Sequence, residues 1–289
     1  MRWEKDRESS NVEDVRGASG GRLGGGRKMG LVGTVVVGLI AMYLGVDPQM
    51  AIEQVSNMQG GGQVQTADPA SRSAEENHLA KFSSVVLGQT EDTWQQVFAE
   101  NNRQYQMPKM VLFTGAVQSG CGAAQSAMGP FYCPADQKLY LDLSFFDELH
   151  NRLGAKGDFA QAYVIAHEVG HHVQNMLGIA QKVHAAQQRA SEAEANALSV
   201  RMELQADCLA GVWANRTNES RQFLEQGDIE SALSAAASVG DDRLQQQSRG
   251  HIVPESFTHG SSEQRMRWFT VGAQSGDMNQ CNTFNASRL

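Results

Sequence analysis

Residues 161–173 read Gln-Ala-Tyr-Val-Ile-Ala-His-Glu-Val-Gly-His-His-Val, and no other stretch limits the fold as tightly. His167, Glu168 and His171 form an H-E-x-x-H motif. Two imidazoles can serve one cation only from one face, and an α-helix stacks positions i and i+4 one above the other. The apolar run before His167, followed by Val169, Val173 and Met176, has helical periodicity and predicts a largely buried helix over 158–178. Unpaired polar groups are costly there, and metal ligation satisfies them. The spacing therefore points to Zn²⁺ held by His167 and His171, with Glu168 beside the metal's open side as general base toward a water. A chance match to three fixed positions arises about one time in a hundred in a chain of this length. The buried helical setting separates the motif from histidines scattered on a surface helix. Asp158, after Gly157, is placed to cap the helix. Gly170 weakens it; it either admits another backbone closely or is incidental.

A catalytic zinc takes three protein ligands and keeps one position open. The segment Arg201-Met-Glu-Leu-Gln-Ala-Asp207 offers the third, because Glu203 and Asp207 again stand at i and i+4. Glu203 is read as the ligand. Asp207 is read as the acceptor for the free ring N–H of a zinc histidine, which fixes its tautomer. Two carboxylates on a helix are usually a solvated face, but Leu204, Ala206, Cys208, Leu209, Ala210, Val212 and Trp213 give this one a buried composition.

His167-Glu168-x-x-His171 followed by Glu203-x-x-x-Asp207 resembles the gluzincin arrangement. The wider set adds His172, Glu203-Leu-Gln-Ala-Asp-Cys-Leu-Ala-Gly211, Gly129-Pro-Phe-Tyr-Cys-Pro134 and His259-Gly-Ser-Ser-Glu-Gln264. Together these resemble a narrower group, the bacterial neutral zinc metallopeptidases (YpfJ-like proteins), over nearly the whole chain. The resemblance implies a zincin-like peptidase domain behind one membrane anchor. It does not supply a substrate.

Residues 29–46 carry no charge and would span roughly 27 Å as a helix, enough for a bilayer core. Arg22, Arg27 and Lys28 precede them, and the next basic residue is Arg72, which places the N-terminus in the cytoplasm. A cleaved signal peptide fits less well, because the preceding segment is long and no Ala-x-Ala site follows. A buried soluble helix would find nothing to pack on in Gly-rich, polar flanks. Four segments follow from this. Residues 1–28 are a disordered cytoplasmic N-terminus, with both charge signs and six glycines. Residues 29–46 are a transmembrane anchor, 47–75 a flexible linker, and 76–289 the zinc metallopeptidase domain. The protein is expected in the cell inner membrane, single-pass, with the catalytic domain periplasmic. A net charge of −8 and a pI near 5.5 argue against a nucleic-acid partner.

Cys121, Cys133, Cys208 and Cys281 all follow the anchor, and an even count outside the cytoplasm suggests two disulfides. Cys121 with Cys133 would close a short loop, and Cys208 with Cys281 would tie the C-terminus to the ligand helix; free buried thiols are the alternative. The fold class is α+β, mainly helical, with a small sheet. Helices are expected at 76–104, 144–152, 158–178, 183–215, 228–238 and 261–275, and strands at Met110–Phe113, Phe131–Cys133 and Leu139–Leu143. By analogy with zincins, an edge strand beside the zinc helix holds an extended peptide; Leu139–Leu143 and Phe131–Cys133 are both candidates.

The function expected is a membrane-anchored, Zn²⁺-dependent peptidase acting on a peptide or protein substrate. Its developing oxyanion needs a donor besides the metal, and His259 and Tyr132 are candidates. His172 lies about 100° around the helix from His171 and cannot share its metal, so it reads as a structural hydrogen-bonding group. Asp142 and Arg201 are undecided. The alternative is a catalytically silent zinc-fold scaffold of the envelope; an intact Glu168 speaks for the enzyme. A hydrolase of a non-peptide amide would carry the same ligand set.

Overall fold

The computed structural model describes residues 1–17 and 72–289. Strand β1 (Val12–Asp14) comes first, then helix α1 (Ala74–Glu100), β2 (Lys109–Phe113), the hairpin β3 (Ala116–Ser119) and β4 (Gly122–Gln125), β5 (Phe131–Cys133) and β6 (Lys138–Asp142). The remainder is helical: α2 (Ser144–Asn151), α3 (Asp158–Met176), α4 (Ile179–Gln187), α5 (Glu192–Arg221), α6 (Asp228–Ser238), α7 (Asp241–Arg249) and α8 (Ser262–Ser275). The described residues thus form the mainly helical α+β arrangement that the periodicities predict.

α3 is the central element. Phe159, Ala162, Tyr163, Ile165, Ala166, Val169 and Val173 are all buried, and a helix apolar on most sides belongs in the interior. It packs against α1, α4, α5, α6 and β5. Gly170 has a role in this packing: a Cβ there would lie 3.0 Å from the carbonyl oxygen of Ala206 on α5. The two helices that carry the zinc motif and Glu203 approach this closely because Gly170 has no side chain.

The main sheet runs β1-β2-β6-β5, with β1, β2 and β6 parallel and β5 antiparallel to β6. Of the two substrate-edge candidates, β6 is paired on both sides and cannot accept another strand. Among the described residues β5 lies at an edge of the sheet, and it packs against α3. Both disulfides form as expected. Cys121–Cys133 ties the β3–β4 turn to the end of β5 (Cα–Cα 5.8 Å), and Cys208–Cys281 ties α5 to the C-terminal segment (5.5 Å).

Several expectations need correcting. The single helix predicted over 183–215 is two helices, α4 and α5. Ser191 and Glu194 form a capping box that starts α5 afresh, each side chain bonding the other's backbone N–H. α7 was not expected, because Asp241-Asp-Arg-Leu-Gln-Gln-Gln-Ser-Arg249 has one apolar residue and so no apolar period. Asp158 does not cap α3; Gly157 holds the cap position, and the Asp158 carboxylate accepts the Trp3 indole N–H at 3.0 Å.

Residues 1–17 are not a disordered tail. Trp3 is buried, β1 joins the sheet, and Ser9 and Asn11 bond to the buried carboxylate of Glu91. Composition misleads here because few apolar side chains are needed: backbone pairing and ion pairs hold the segment. The folded body therefore includes residues 1–17 as well as the expected 76–289. The proposed anchor, 29–46, and nearly all of the proposed linker lie outside the described residues. Among the described residues no helix is long and apolar enough to cross a membrane.

Candidate metal centre

α3 and α5 bring His167, His171 and Glu203 to one point, the floor of a cleft of about 560 Å³. The donor atoms of these three residues lie within 4.8 Å of one another. Nε2 of His167 is 3.1 Å from one Glu203 oxygen, and Nε2 of His171 is 3.4 Å from the other. Tetrahedral ligands at 2.0–2.2 Å from a zinc ion stand about 3.4 Å apart, so the spacing fits.

The surroundings fix the right nitrogens for ligation. Nδ1–H of His167 donates to Asp207 at 2.8 Å, and Nδ1–H of His171 donates to Oε1 of Gln174 at 2.8 Å. Each neutral ring then has its lone pair on Nε2, aimed at Glu203. Two lone pairs facing a carboxylate repel unless a cation lies between them. The electrostatics agree. Burial pulls His167 down, yet Asp207 and Glu203 hold it up at about 10. His171 is raised against burial by Glu203, and Glu203 is held well below its usual range by His171 and His167 despite burial. The site demands positive charge, and the His₂Glu donor set is one that Zn²⁺ takes.

Gln174 joins the site although the H-E-x-x-H motif does not include it. Its amide nitrogen donates to the carbonyl of Met202 (2.7 Å) and to Gln205 (3.1 Å), which orients the oxygen toward His171. Arg265 also enters the site without a local sequence pattern that marks it. It is buried on α8 and grips both Asp207 oxygens at 2.8 and 2.9 Å, while Tyr163 donates its hydroxyl proton to the same carboxylate. Burial raises the Asp207 pKa, but Arg265 and His167 bring it to about 2. One signal was available: a carboxylate assigned to a buried helix face needs a cation partner, and Arg265 stands beside Trp268 and Phe269.

Glu168 is buried on the cleft wall, and burial raises its carboxyl above the ordinary value, opposed by His171 and His167. His259 also lines the cleft. Its loop is fixed by Asp241, whose Oδ2 accepts the N–H groups of Thr258, His259 and Gly260 and whose Oδ1 accepts Nδ1–H of His259 at 3.2 Å.

Tyr132 has a different job from the one considered. Nε2–H of His172 donates to the carbonyl of Gln106 at 2.6 Å, which leaves Nδ1 to accept the Tyr132 hydroxyl proton at 3.0 Å. The same hydroxyl oxygen accepts from Asn175. With its proton committed, Tyr132 anchors β5 to α3 rather than facing an oxyanion. His172 is the structural group expected. Asp142 and Arg201 stand apart from the site: Asp142 accepts from Gly115 and Ser144, and Arg201 bonds the carbonyls of Thr283 and Ala286 near the C-terminus.

Comparison with known proteins is consistent with this centre. A protein of Escherichia coli (strain K12), uncharacterized protein YpfJ, is 54% identical over 294 residues, covering 99% of this chain and 100% of its own. An uncharacterized protein of Mycobacterium tuberculosis is 43% identical over 265 residues, 86% of each chain. No solved structure matches. The profile described as "Putative neutral zinc metallopeptidase" matches residues 1–284, and the chain belongs to that family.

Proposed function

We propose that this protein is a zinc-dependent peptidase that hydrolyses internal peptide bonds of an extended substrate. The observation that carries the reading is the convergence of two histidine Nε2 atoms and the Glu203 carboxylate beside Glu168, in a cleft bordered by a sheet edge. His167, His171 and Glu203 would hold a zinc ion, which would supply a Lewis acid toward a water and a substrate carbonyl. Glu168, buried and with a raised pKa, accepts a proton from the attacking water and returns it to the leaving amine. His259, whose charged form Asp241 favours against burial, would donate from Nε2–H to the developing oxyanion. The three residues of β5 offer their unpaired backbone groups to the substrate. Pro130 and Pro134 flank the strand, and neither has an N–H to donate, so pairing is confined to this short stretch.

Within this proposal the protein works in an oxidising compartment of the cell envelope, supported by two cysteine pairs at bonding distance. The test pairs metal analysis with a casein and peptide-library cleavage assay on the full chain. Wild type is expected to hold one zinc and cleave. Glu168→Gln is expected to hold zinc and lose at least ~100-fold in kcat/KM. Full turnover by that variant would remove Glu168 as the base; zinc without cleavage by wild type would favour the scaffold or a non-peptide amide.

A further inference from the structure

Residues 1–17 are seated in a groove built for them on the body that carries the zinc site. Val12, Glu13 and Asp14 of β1 stand opposite Met110, Val111 and Leu112 of β2 in parallel register. Trp3 is 2% exposed, packs edge-on against Phe82 at 5.2 Å, and donates its indole N–H to Asp158, the first residue of α3. Ser9 N–H donates to the carbonyl of Ser84 at 3.0 Å, and the Ser84 hydroxyl donates back to the Ser9 carbonyl at 3.1 Å. Glu91, buried on α1, accepts from Ser9, Asn11 and Arg7 at 2.6, 2.7 and 2.9 Å. Gly88, in the interior of α1, is the contact point. A Cβ there would lie 2.9 Å from the Arg7 carbonyl oxygen. Glycine weakens a helix interior, and here its absent side chain is what lets the N-terminal backbone pass.

The two ends of the segment 18–71 also meet. Arg72 pairs with Asp14 at 2.7 Å and donates to the carbonyl of Arg16 at 2.6 Å, so the chain leaves and re-enters the folded body at one place. Paired strands stand about 4.8 Å apart, whereas a bilayer's hydrocarbon core is about 30 Å thick. No membrane fits between β1 and β2.

We infer that residues 1–17 and residues 72–289, which carry the candidate metal site, occupy the same side of any membrane. This replaces the single-pass arrangement with a cytoplasmic N-terminus and an external domain, and it stands whether or not the protein is a peptidase. Its consequence is for substrate access: the cleft opens into the compartment that holds the N-terminus.

Two measurements on the full chain test it. Ser10→Cys and Ser287→Cys place reporters at exposed positions in the two parts. Intact bacterial cells are treated with a membrane-impermeant maleimide, with and without lysis. Both reporters are expected to label alike, either both in intact cells or both only after lysis. One of each would overturn the inference. Docking is read by Gly88→Ala. With the N-terminal segment seated, the new methyl meets the Arg7 carbonyl and Tm falls by roughly 3–6 °C. If the segment is not seated, alanine is simply the better helix former and Tm rises, which would also overturn it.

Discussion

The Asp207 carboxylate stands between His167 and Arg265: it accepts Nδ1–H of His167 at 2.8 Å and both Arg265 nitrogens at 2.8 and 2.9 Å. A fully buried ion pair thus lies directly behind His167, one of the three candidate metal ligands. It keeps the imidazole in the tautomer and orientation that metal binding needs.

Removing the cation should therefore be felt at the metal. Arg265→Gln leaves Asp207 buried without its balancing charge, a loss of about 3–5 kcal/mol in stability, and frees His167 to turn. Zinc affinity is expected to fall about 10- to 100-fold. Chelator competition and thermal unfolding measure the two effects. Unchanged zinc affinity in a folded variant would show that Asp207 orients His167 without help.

The pH profile of the zinc-free protein should have two limbs. Asp207 is depressed to about 2, with burial opposing and Arg265 and His167 prevailing. A depressed carboxylate stabilises fully above its ordinary value near 3.8 and progressively less as pH falls toward about 2. His167 is raised to about 10, with burial opposing and Asp207 and Glu203 prevailing. Its contribution is full below 6.5 and is lost as pH rises through about 10. Maximum stability is expected between about pH 4 and 6.5. Zinc takes the imidazole as the neutral ring and releases the proton, so zinc should abolish the alkaline limb. Thermal unfolding across pH, with and without zinc, checks this. An alkaline limb that persists in the zinc-loaded protein would argue against His167 as a ligand.

Tyr132→Phe removes the hydroxyl that ties β5 to His172 and Asn175 without touching the metal donors. KM is expected to rise several-fold, with kcat within about twofold and zinc content unchanged, the pattern of lost uniform binding. A fall in kcat at unchanged KM would return Tyr132 to the chemical step.

The two disulfides should separate in their effects. Cys208–Cys281 closes a separation of 73 residues and is worth about 4 kcal/mol by loop entropy; Cys121–Cys133 closes 12 and is worth about 3. Replacing the first pair by serine is expected to lower Tm more. Replacing the second loosens the end of β5 and is expected to raise KM as well. Equal KM values for both double variants would detach β5 from substrate binding.

Much of the site was legible because its elements are local. His167, Glu168 and His171 lie within one helical turn, as do Glu203 and Asp207, and helix geometry alone sets their shared faces. The break between α4 and α5 was written in Ser191-x-x-Glu194, a signal that the continuing alanine-rich pattern obscured. Tyr132 lies on the strand beside the zinc-motif helix, but its role turns on His172. Only the Gln106 carbonyl, 66 positions from His172, decides which ring nitrogen accepts the Tyr132 proton.

The sequence by itself determined most of the helices and the local pairs His167/His171 and Glu203/Asp207, because each depends on residue type and helical spacing. Tertiary structure decided which carboxylate is neutralised by Arg265, which of the two candidate strands lies at a sheet edge, and that residues 1–17 belong to the fold. Those outcomes rest on contacts between segments distant in sequence. Whether an arginine, a strand or a polar tail finds its partner depends on packing and backbone pairing, which no local pattern encodes.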